Sequence, residues 1–292
     1  MFCKLTTQQL KDHLPLFKSK PKFALFANAA KFELEKRIPD HPCDFYYLEV
    51  NDSKYFFVFR HDNVPDACRP ILMIGSDQTV NENDVIQGLE QIKTLEPDLG
   101  NIECLIATSD LAIPARKFYV DHFNRREAHI GPCNQFCLPY SVYPETQKKV
   151  DEITLPASFT IGSTRVSDAE IVNSTWKFAT PETILQIKEF IERLPTACIH
   201  HENKPVAFEM TGLHGQLNHQ FTFPEFRNRG FGGMIENTIV AKCFREGIQV
   251  VKLVEFSNPD VLKKSLDHKT WKVVKDDNGE VIVFDYTQYS SR

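Results

Sequence analysis

Gln216-Leu-Asn-His-Gln-Phe-Thr-Phe-Pro-Glu-Phe-Arg-Asn-Arg-Gly-Phe-Gly-Gly233, continued by an amphipathic segment to Glu246, is the stretch on which the reading of this chain turns. Phe221 and Phe223 alternate with Gln220 and Thr222, the two-residue period of a strand. Pro224 has no amide to give a ladder, so it ends that strand. A short loop with two arginines and three glycines follows. Phe231, Ile235, Ile239 and Cys243 then recur every four residues, with Met234 and Thr238 beside them, which predicts one face of a helix stopped at Gly247.

The chemistry of such a strand–loop–helix junction is anion binding. The first amides of a helix lack intrahelical acceptors, and the helix dipole adds partial positive charge at the same end. Gly230, Gly232 and Gly233 carry no β-carbon, so a phosphate can approach the backbone closely. Arg227 and Arg229 are placed to add charge-assisted contacts. A phosphate or pyrophosphate is the expected ligand.

The 292 residues have room for two domains, and 42% hydrophobic with 11% aromatic residues is enough to bury sizeable cores, which excludes a disordered chain. A net charge of −5 argues against nucleic-acid binding through bulk electrostatics. No apolar run reaches the ~18–20 residues of a membrane span. Eight cysteines are scattered without a secretory signal ahead of them and read as reduced thiols of an intracellular protein. Cys133 and Cys137 form a C-x3-C spacing with no second ligand pair, so no metal centre is expected there. Met1 to Lys22 carries lysines but no arginine and reads as an ordinary helix start rather than a mitochondrial presequence.

Taken in order, 5–18 and 24–37 have helical spacing, and Asp44–Val50 and Tyr55–Arg60 read as strands about the turn Asn51-Asp52-Ser53. Pro70–Ile74 and Asn101–Ala107 are further strands, Asn81–Leu95 and Ser109–Phe123 helices, and Glu127–Leu138 a strand. Nothing in this half reads as a nucleotide loop. The polar, proline-bearing segment 141–157 reads as an interdomain connection, which divides the chain into domains 1–148 and 149–292. In the second half a strand at Phe159–Thr164 precedes Ser167-Asp-Ala-Glu170, a capping-box pattern with Ser167 as N-cap. Pro181 marks the next helix start, and Thr196–His200 and Pro205–Thr211 flank a turn at 201–204. Val250–Phe256 is a β-branched strand, Asn258-Pro259 starts a short helix, and Trp271–Val274 and Glu280–Phe284 are expected to form a hairpin over Asp276-Asp-Asn-Gly279. The order of the second half is β-α-α-β-β-β-α-β-α-β-β.

Three phosphate loops can be compared with Arg227-x-x-Gly230-x-Gly232. A P-loop needs Gly-Lys-Ser/Thr where Gly233-Met-Ile stands. A dinucleotide fingerprint needs a glycine at Ile235 and a parallel βαβ unit. The third is the acetyl-CoA loop: Thr222-Phe-Pro-Glu-Phe-Arg-Asn-Arg-Gly-Phe-Gly232 resembles the central motif of the GNAT N-acyltransferases, in which Gln/Arg-x-x-Gly-x-Gly/Ala wraps the CoA pyrophosphate. Val172-Asn-Ser-Thr-Trp-Lys-Phe178, Phe190-Ile-Glu-Arg-Leu-Pro-Thr-Ala-Cys198, Thr222–Arg227 and Phe256-Ser-Asn258 further resemble segments of the glycine N-acyltransferase family, over roughly residues 160–275. The first half is similar to that family's N-terminal domain in length and α/β type only.

The resemblance implies an α/β (α+β) chain of two GNAT-like domains. The first is degenerate; the second has a mixed, mostly antiparallel sheet flanked by helices and binds acyl-CoA as cosubstrate, without a metal. Its implied activity moves an acyl group from CoA to the amino group of glycine or a similar small amine. CoA contacts are expected from Phe221, Thr222, Phe223, Arg227, Asn228, Arg229, Gly230, Phe231, Gly232, Gly233 and Asn258. Family members are mitochondrial; the unremarkable N-terminus read by itself suggests the cytoplasm.

An ammonium acceptor must lose a proton before its nitrogen attacks a thioester, and the carbonyl oxygen needs a donor as it becomes an oxyanion. The family's glutamate base falls on Gln216, which cannot take up a proton, and the tyrosine that many members place after the fifth strand falls on Ser265. Replacement bases are Glu209, His219 and His214. By strand parity His219 shares a face with Leu217 and Phe221, and reads either as a core-side histidine or as a base. Glu209, between Phe208 and Met210, is either a carboxylate of raised pKa or a solvent-facing one. Glu225 and His200-His201 read as surface. An acetyltransferase for another amine or a protein, and a CoA-binding protein without activity, are the alternatives that Gln216 leaves open.

Overall fold

The computed structural model describes residues 1–63, 70–176, 179–181 and 183–290. Cys68, and Lys177 and Phe178 of the segment compared above, lie outside the described residues.

The first half runs β1 (Phe2–Lys4), α1 (Thr7–Ser19), α2 (Ala24–Glu35), β2 (Cys43–Val50), β3 (Ser53–Arg60), β4 (Ile71–Ser76), α3 (Glu82–Leu95), β5 (Cys104–Thr108), α4 (Ser109–Phe123) and β6 (Glu127–Cys137). Local signals place most of these. Thr6 and Gln9 form a capping box at the start of α1, and the Asn81 side chain caps α3. Asn51 and Asp52 both take positive φ, 48° and 67°, the conformation a two-residue hairpin turn demands.

After α5 (Tyr143–Asp151), the second half repeats the plan: β7 (Phe159–Gly162), α6 (Ala169–Ser174), α7 (Thr183–Arg193), β8 (Thr196–His201), β9 (Lys204–Thr211), β10 (Leu217–Thr222), α8 (Phe231–Arg245), β11 (Val251–Glu255), α9 (Pro259–Leu266), β12 (Lys272–Val273) and β13 (Val283–Tyr289). The segment 141–157, read as an interdomain connection, is largely helical. Its α5 lies on α8, with Tyr140 and Tyr143 against Phe244 at ring distances of 5.4 and 5.7 Å and Arg245 donating to Gln147 at 3.2 Å. The cap before α6 also differs. Asp168, not Glu170, reaches back, accepting from the Arg165 amide at 2.8 Å, because a 3-10 turn at Val166–Asp168 precedes the helix.

Among the described residues, nine strands form one sheet in the order β1-β2-β3-β4-β5-β13-β6-β11, with β12 on β6, and four form another in the order β10-β9-β8-β7. The first sheet takes strands from both halves. The last strand, β13, enters between β5 and β6, pairing Phe284 with Thr108 on one side and with Cys133 on the other. It does not form the expected hairpin. The turn at Asp276–Gly279 is present, with the Asp276 N–H bonded to the Glu280 carbonyl at 2.8 Å, a Lys275–Val281 bridge and an Ile282 N–H to Val274 carbonyl bond of 3.1 Å, but among the described residues β12 and β13 do not pair with each other. Displaced from β5, β6 uses its other edge for β11, from Val251 opposite Cys137 to Glu255 opposite Cys133.

The halves differ where it matters for binding. In the first, β4 and β5 stay paired from Ile71–Cys104 to Ile74–Ala107, and a β-carbon on Gly75 would stand 2.7 Å from Phe23, so that end is filled. In the second, the equivalent β10 and β11 touch through one parallel bridge, Gln216–Val251, and then diverge into separate sheets. The apex of this V is held by the first half. Asn28 on α2 exchanges two 2.8 Å hydrogen bonds with the Gln249 backbone, and Gly215, at φ 72°, has room for no β-carbon beside the Asn28 amide.

Candidate active site

The open end of the V carries the glycine loop. Gly230 at φ 77° turns the chain into α8, leaving the Phe231, Gly232 and Gly233 amides as the first, unpaired donors of a fifteen-residue helix. Only Gly230 needs glycine for its backbone angle. A β-carbon on Gly233 would meet nothing within 4 Å and one on Gly232 only Gln220 Oε1 at 3.9 Å, so the chain's own packing does not require those two glycines. They leave the helix start bare to an approaching anion. Arg227 and Arg229 are exposed and folded onto the loop, bonding the Thr222 and Glu225 carbonyls at 3.0 and 3.2 Å, with Arg229 also over the Phe226 ring. Asn228, at φ 61°, lies between them.

Because β10 ends its sheet, the edge facing the V carries no neighbouring strand. Phe221, Thr222 and Phe223 run along it, half-buried. Such an edge offers backbone donors and acceptors to an extended, amide-bearing ligand. Asn258 stands across the V at the start of α9, its amide bonded to the Glu255 carbonyl at 3.0 Å.

The middle of β10 is not a regular strand. Leu217 and Asn218 oppose Thr211 and Met210, whereas Phe221 and Thr222 oppose Phe208 and Ala207, so His219 and Gln220 together stand against Glu209. This is a bulge, with His219 at φ 53°. The extra residue reverses the parity that the sequence suggests. Leu217 faces the side of Thr211 and Glu209, and Phe221 the side of Phe208. His219 joins Phe208, its ring edge-on at 5.4 Å, and its Nε2 lies 2.9 Å from Thr175 Oγ1. Since Thr175 Oγ1 donates to the Val172 carbonyl at 2.8 Å, His219 Nε2 must be the donor to Thr175, which leaves Nδ1 unprotonated. Burial holds the His219 pKa down to about 4, so the ring is neutral at physiological pH.

Gln220 turns the other way, donating from Nε2 to Glu209 Oε2 at 3.1 Å and approaching the Gly232 carbonyl at 3.4 Å. Glu209 is therefore a buried carboxyl, not a solvent-facing one. Burial first, and the Glu236 carboxylate second, raise its pKa to about 8. Glu236 accepts from Trp271 Nε1 at 3.0 Å, and the Lys252 ammonium lies 4.2 Å above the Trp271 ring, its pKa lowered by burial against the pull of Glu236 and Glu209. A cleft of about 230 Å3 opens beside them, lined by Gly233, Glu236, Asn237, His268 and Trp271 among others. Glu236, Lys252 and Trp271 went unread in the sequence as polar partners of Glu209. They come from α8, β11 and the loop after α9, and no local spacing links them.

The other residues singled out lie elsewhere. Gln216, at the V's apex, turns its side chain onto the preceding turn, where Oε1 accepts from the His214 amide at 3.0 Å. His214 is buried against Arg60, whose Nε lies 3.1 Å from its Nε2, and burial followed by the Arg60 charge holds its pKa well below the usual value. Ser265 is buried on α9. Glu225 is exposed in the loop and His201 partly exposed, whereas His200, read as surface, is buried on β8 with Asp168 at 2.8 Å. Burial pushes the thiols of Cys133 and Cys137 up to about 12.

A four-strand sheet continued across a V by a fifth strand, with a glycine-started helix between them, is the GNAT fold, and solved structures agree. A Drosophila protein superposes over 98% of both chains with a TM-score of 0.72 at 14% identity. A GCN5-related N-acetyltransferase from Kribbella flavida matches 92% of this chain and 96% of its own at 0.51 and 9% identity. A tandem GNAT protein from the clavulanic acid biosynthesis pathway matches 100% and 99% at 0.50, also at 9%. In sequence, 109 residues are 28% identical to human glycine N-acyltransferase, covering 37% of each chain, so just over a third of that relative is matched. No family model matches the chain. Among the described residues no helix is long and apolar enough to cross a membrane.

Proposed function

We propose that this protein is an acyl-CoA-dependent N-acyltransferase whose acceptor is glycine or a similar small amine. The observation that carries the reading is the V between β10 and β11, which ends on a helix start left bare by Gly232 and Gly233. The V suits the two features of CoA that matter for binding: a pyrophosphate for the amides of 228–233 and an extended pantetheine arm for the edge Phe221–Phe223. Asn258 is assigned to the far wall. The partial likeness to glycine N-acyltransferase supports the acceptor class.

Glu209 is assigned as the base. Its carboxylate takes a proton from the acceptor ammonium, the freed nitrogen attacks the thioester carbon, and the tetrahedral intermediate collapses with loss of the CoA thiolate, which takes up the second nitrogen proton to leave as the free thiol. A base whose pKa of about 8 lies near working pH suits proton removal from an ammonium far better than His219 at about 4. The bulge takes the His219 amide out of the ladder, where it donates to Asn218 Oδ1 at 2.9 Å; it serves the developing oxyanion once that side chain turns aside. Arg227 and Arg229 reach the phosphates by leaving their loop carbonyls. Gln216 holds the turn before β10, and Ser265 has no assigned step.

The test measures CoA released from acetyl-CoA and benzoyl-CoA against a panel of amino acids and simple amines. Release that depends on glycine or another small amine supports the reading. CoA binding with no release for any acceptor would sink it.

A further inference from the structure

We infer that Asp168, Cys198 and His200 form a binding site for one zinc ion, a site independent of the acyl-transfer reading. Cys198 and His200 project from the same face of β8, two residues apart, and Asp168 closes over them from the 3-10 turn before α6. All three are buried, at 0%, 3% and 4% exposure, and their ligand atoms lie within 4.8 Å of one another.

The geometry separates metal binding from a nucleophilic relay. His200 Nε2 is 2.8 Å from Asp168 Oδ2 and 3.6 Å from Cys198 Sγ. A Cys-His-Asp relay would use the two ring nitrogens, one toward the thiol and one toward the carboxylate. Here both neighbours approach the same nitrogen, whose single proton can serve only one of them. The three atoms converge on a point. Zinc bonds of roughly 2.3 Å to sulfur and 2.0 Å to nitrogen at a tetrahedral angle set the two ligands about 3.5 Å apart, close to the 3.6 Å found here. The carboxylate would retreat by about half an ångström as a Zn–O bond replaces its hydrogen bond.

Other atoms support the arrangement. The Arg165 amide holds Asp168 Oδ2 at 2.8 Å, the outer contact a carboxylate ligand uses to keep its orientation. Loading is balanced: Zn2+ displaces the Cys198 thiol proton, the His200 ring proton moves from Nε2 to Nδ1, and thiolate and carboxylate together neutralise the ion. The consequence is mechanical. α6 begins at Ala169, beside the ion, and leads to Thr175, which holds His219 in the bulge. The ion anchors the start of the helix whose end supports β10.

The experiment uses the full chain, purified without a metal-chelating tag from zinc-supplemented medium, with metal content measured by mass spectrometry. About one zinc per chain is expected, falling at least tenfold in Cys198→Ser, with a thermal midpoint that chelator lowers in the parent and leaves unchanged in the variant. Cobalt exchanged into the parent should give a thiolate-to-cobalt absorption band. If Cys198→Ser does not fold, that band and its loss in Asp168→Asn decide instead. Folded parent protein with less than about a tenth of an equivalent of zinc and no cobalt band would overturn the site. So would zinc retained in full by the variants, which would mark an adventitious ion elsewhere.

Discussion

Gln220 meets the buried Glu209 carboxyl at 3.1 Å across a bulge in which two residues of β10 face one of β9. Without the extra residue, Gln220 would face away and Glu209 would lie beneath a regular strand. The bulge decides which of two neighbouring side chains takes which side of the sheet: His219 goes toward Thr175 and Gln220 toward α8.

Acyl transfer should rise with pH to a plateau, with its midpoint near pH 8, because the base works only when ionised and its pKa is about 8. Glu209→Gln should remove that limb and lower kcat by about 100-fold or more. Glu236→Gln should move the midpoint to lower pH, since the Glu236 charge helps raise the pKa. A pH–rate profile of the three proteins checks both; an unchanged rate in Glu209→Gln would eliminate it as base.

The same shift has a consequence for stability. A folded pKa of about 8 against an ordinary 4.5 means that folding favours the protonated carboxyl. Its contribution is complete below pH 4.5 and is lost as pH rises through 8. Glu209→Gln should flatten that part of the pH dependence, so the variant gains on the parent in alkaline solution. Denaturant melts at pH 6 and 9 measure the difference.

Gly232→Val tests the loop. The new side chain has open space, so the thermal midpoint should stay within a few degrees of the parent. CoA affinity should fall by more than about tenfold, because the β-carbon stands where the phosphate approaches. Calorimetric titration with CoA reads this directly, and unaltered affinity would place the anion elsewhere.

His219 sits at φ 53°, a region that costs a non-glycine residue about 1–2 kcal/mol. His219→Gly should therefore be more stable than His219→Ala by about 1 kcal/mol, the reverse of the order in a regular strand. Urea unfolding of the pair measures it.

Asn28→Ala should cost about 2 kcal/mol, because both of its hydrogen bonds to Gln249 join α2 to the apex of the V and its loss leaves backbone groups unpaired. If the V's walls depend on this joint, CoA affinity should weaken in the same variant.

The glycine loop was legible from sequence because its signals are local: strand alternation, Pro224, three glycines and a four-residue apolar repeat specify a strand–loop–helix within thirty residues. The turns at 51–52 and 202–203 were legible for the same reason: Asn51, Asp52 and Asn203 suit the positive φ they take, and polar residues break two strand-like runs at each place. The parity of β10 was not. A bulge is set by what its partner strand must accommodate, and Leu217 through Phe221 alternate too regularly to betray it.

What sequence by itself determined is most of the elements and the glycine-started helix with its bare first amides, because propensity, capping and turn chemistry act over a few residues. Tertiary structure decided three things. It sent β13 between β5 and β6, placed Glu209 with Glu236, Lys252 and Trp271, and gathered Asp168, Cys198 and His200. Each depends on residues tens of positions apart, brought together by burial of the sheets' apolar faces. Burial, in turn, is what makes a glutamate with an ordinary pKa a candidate base near neutrality.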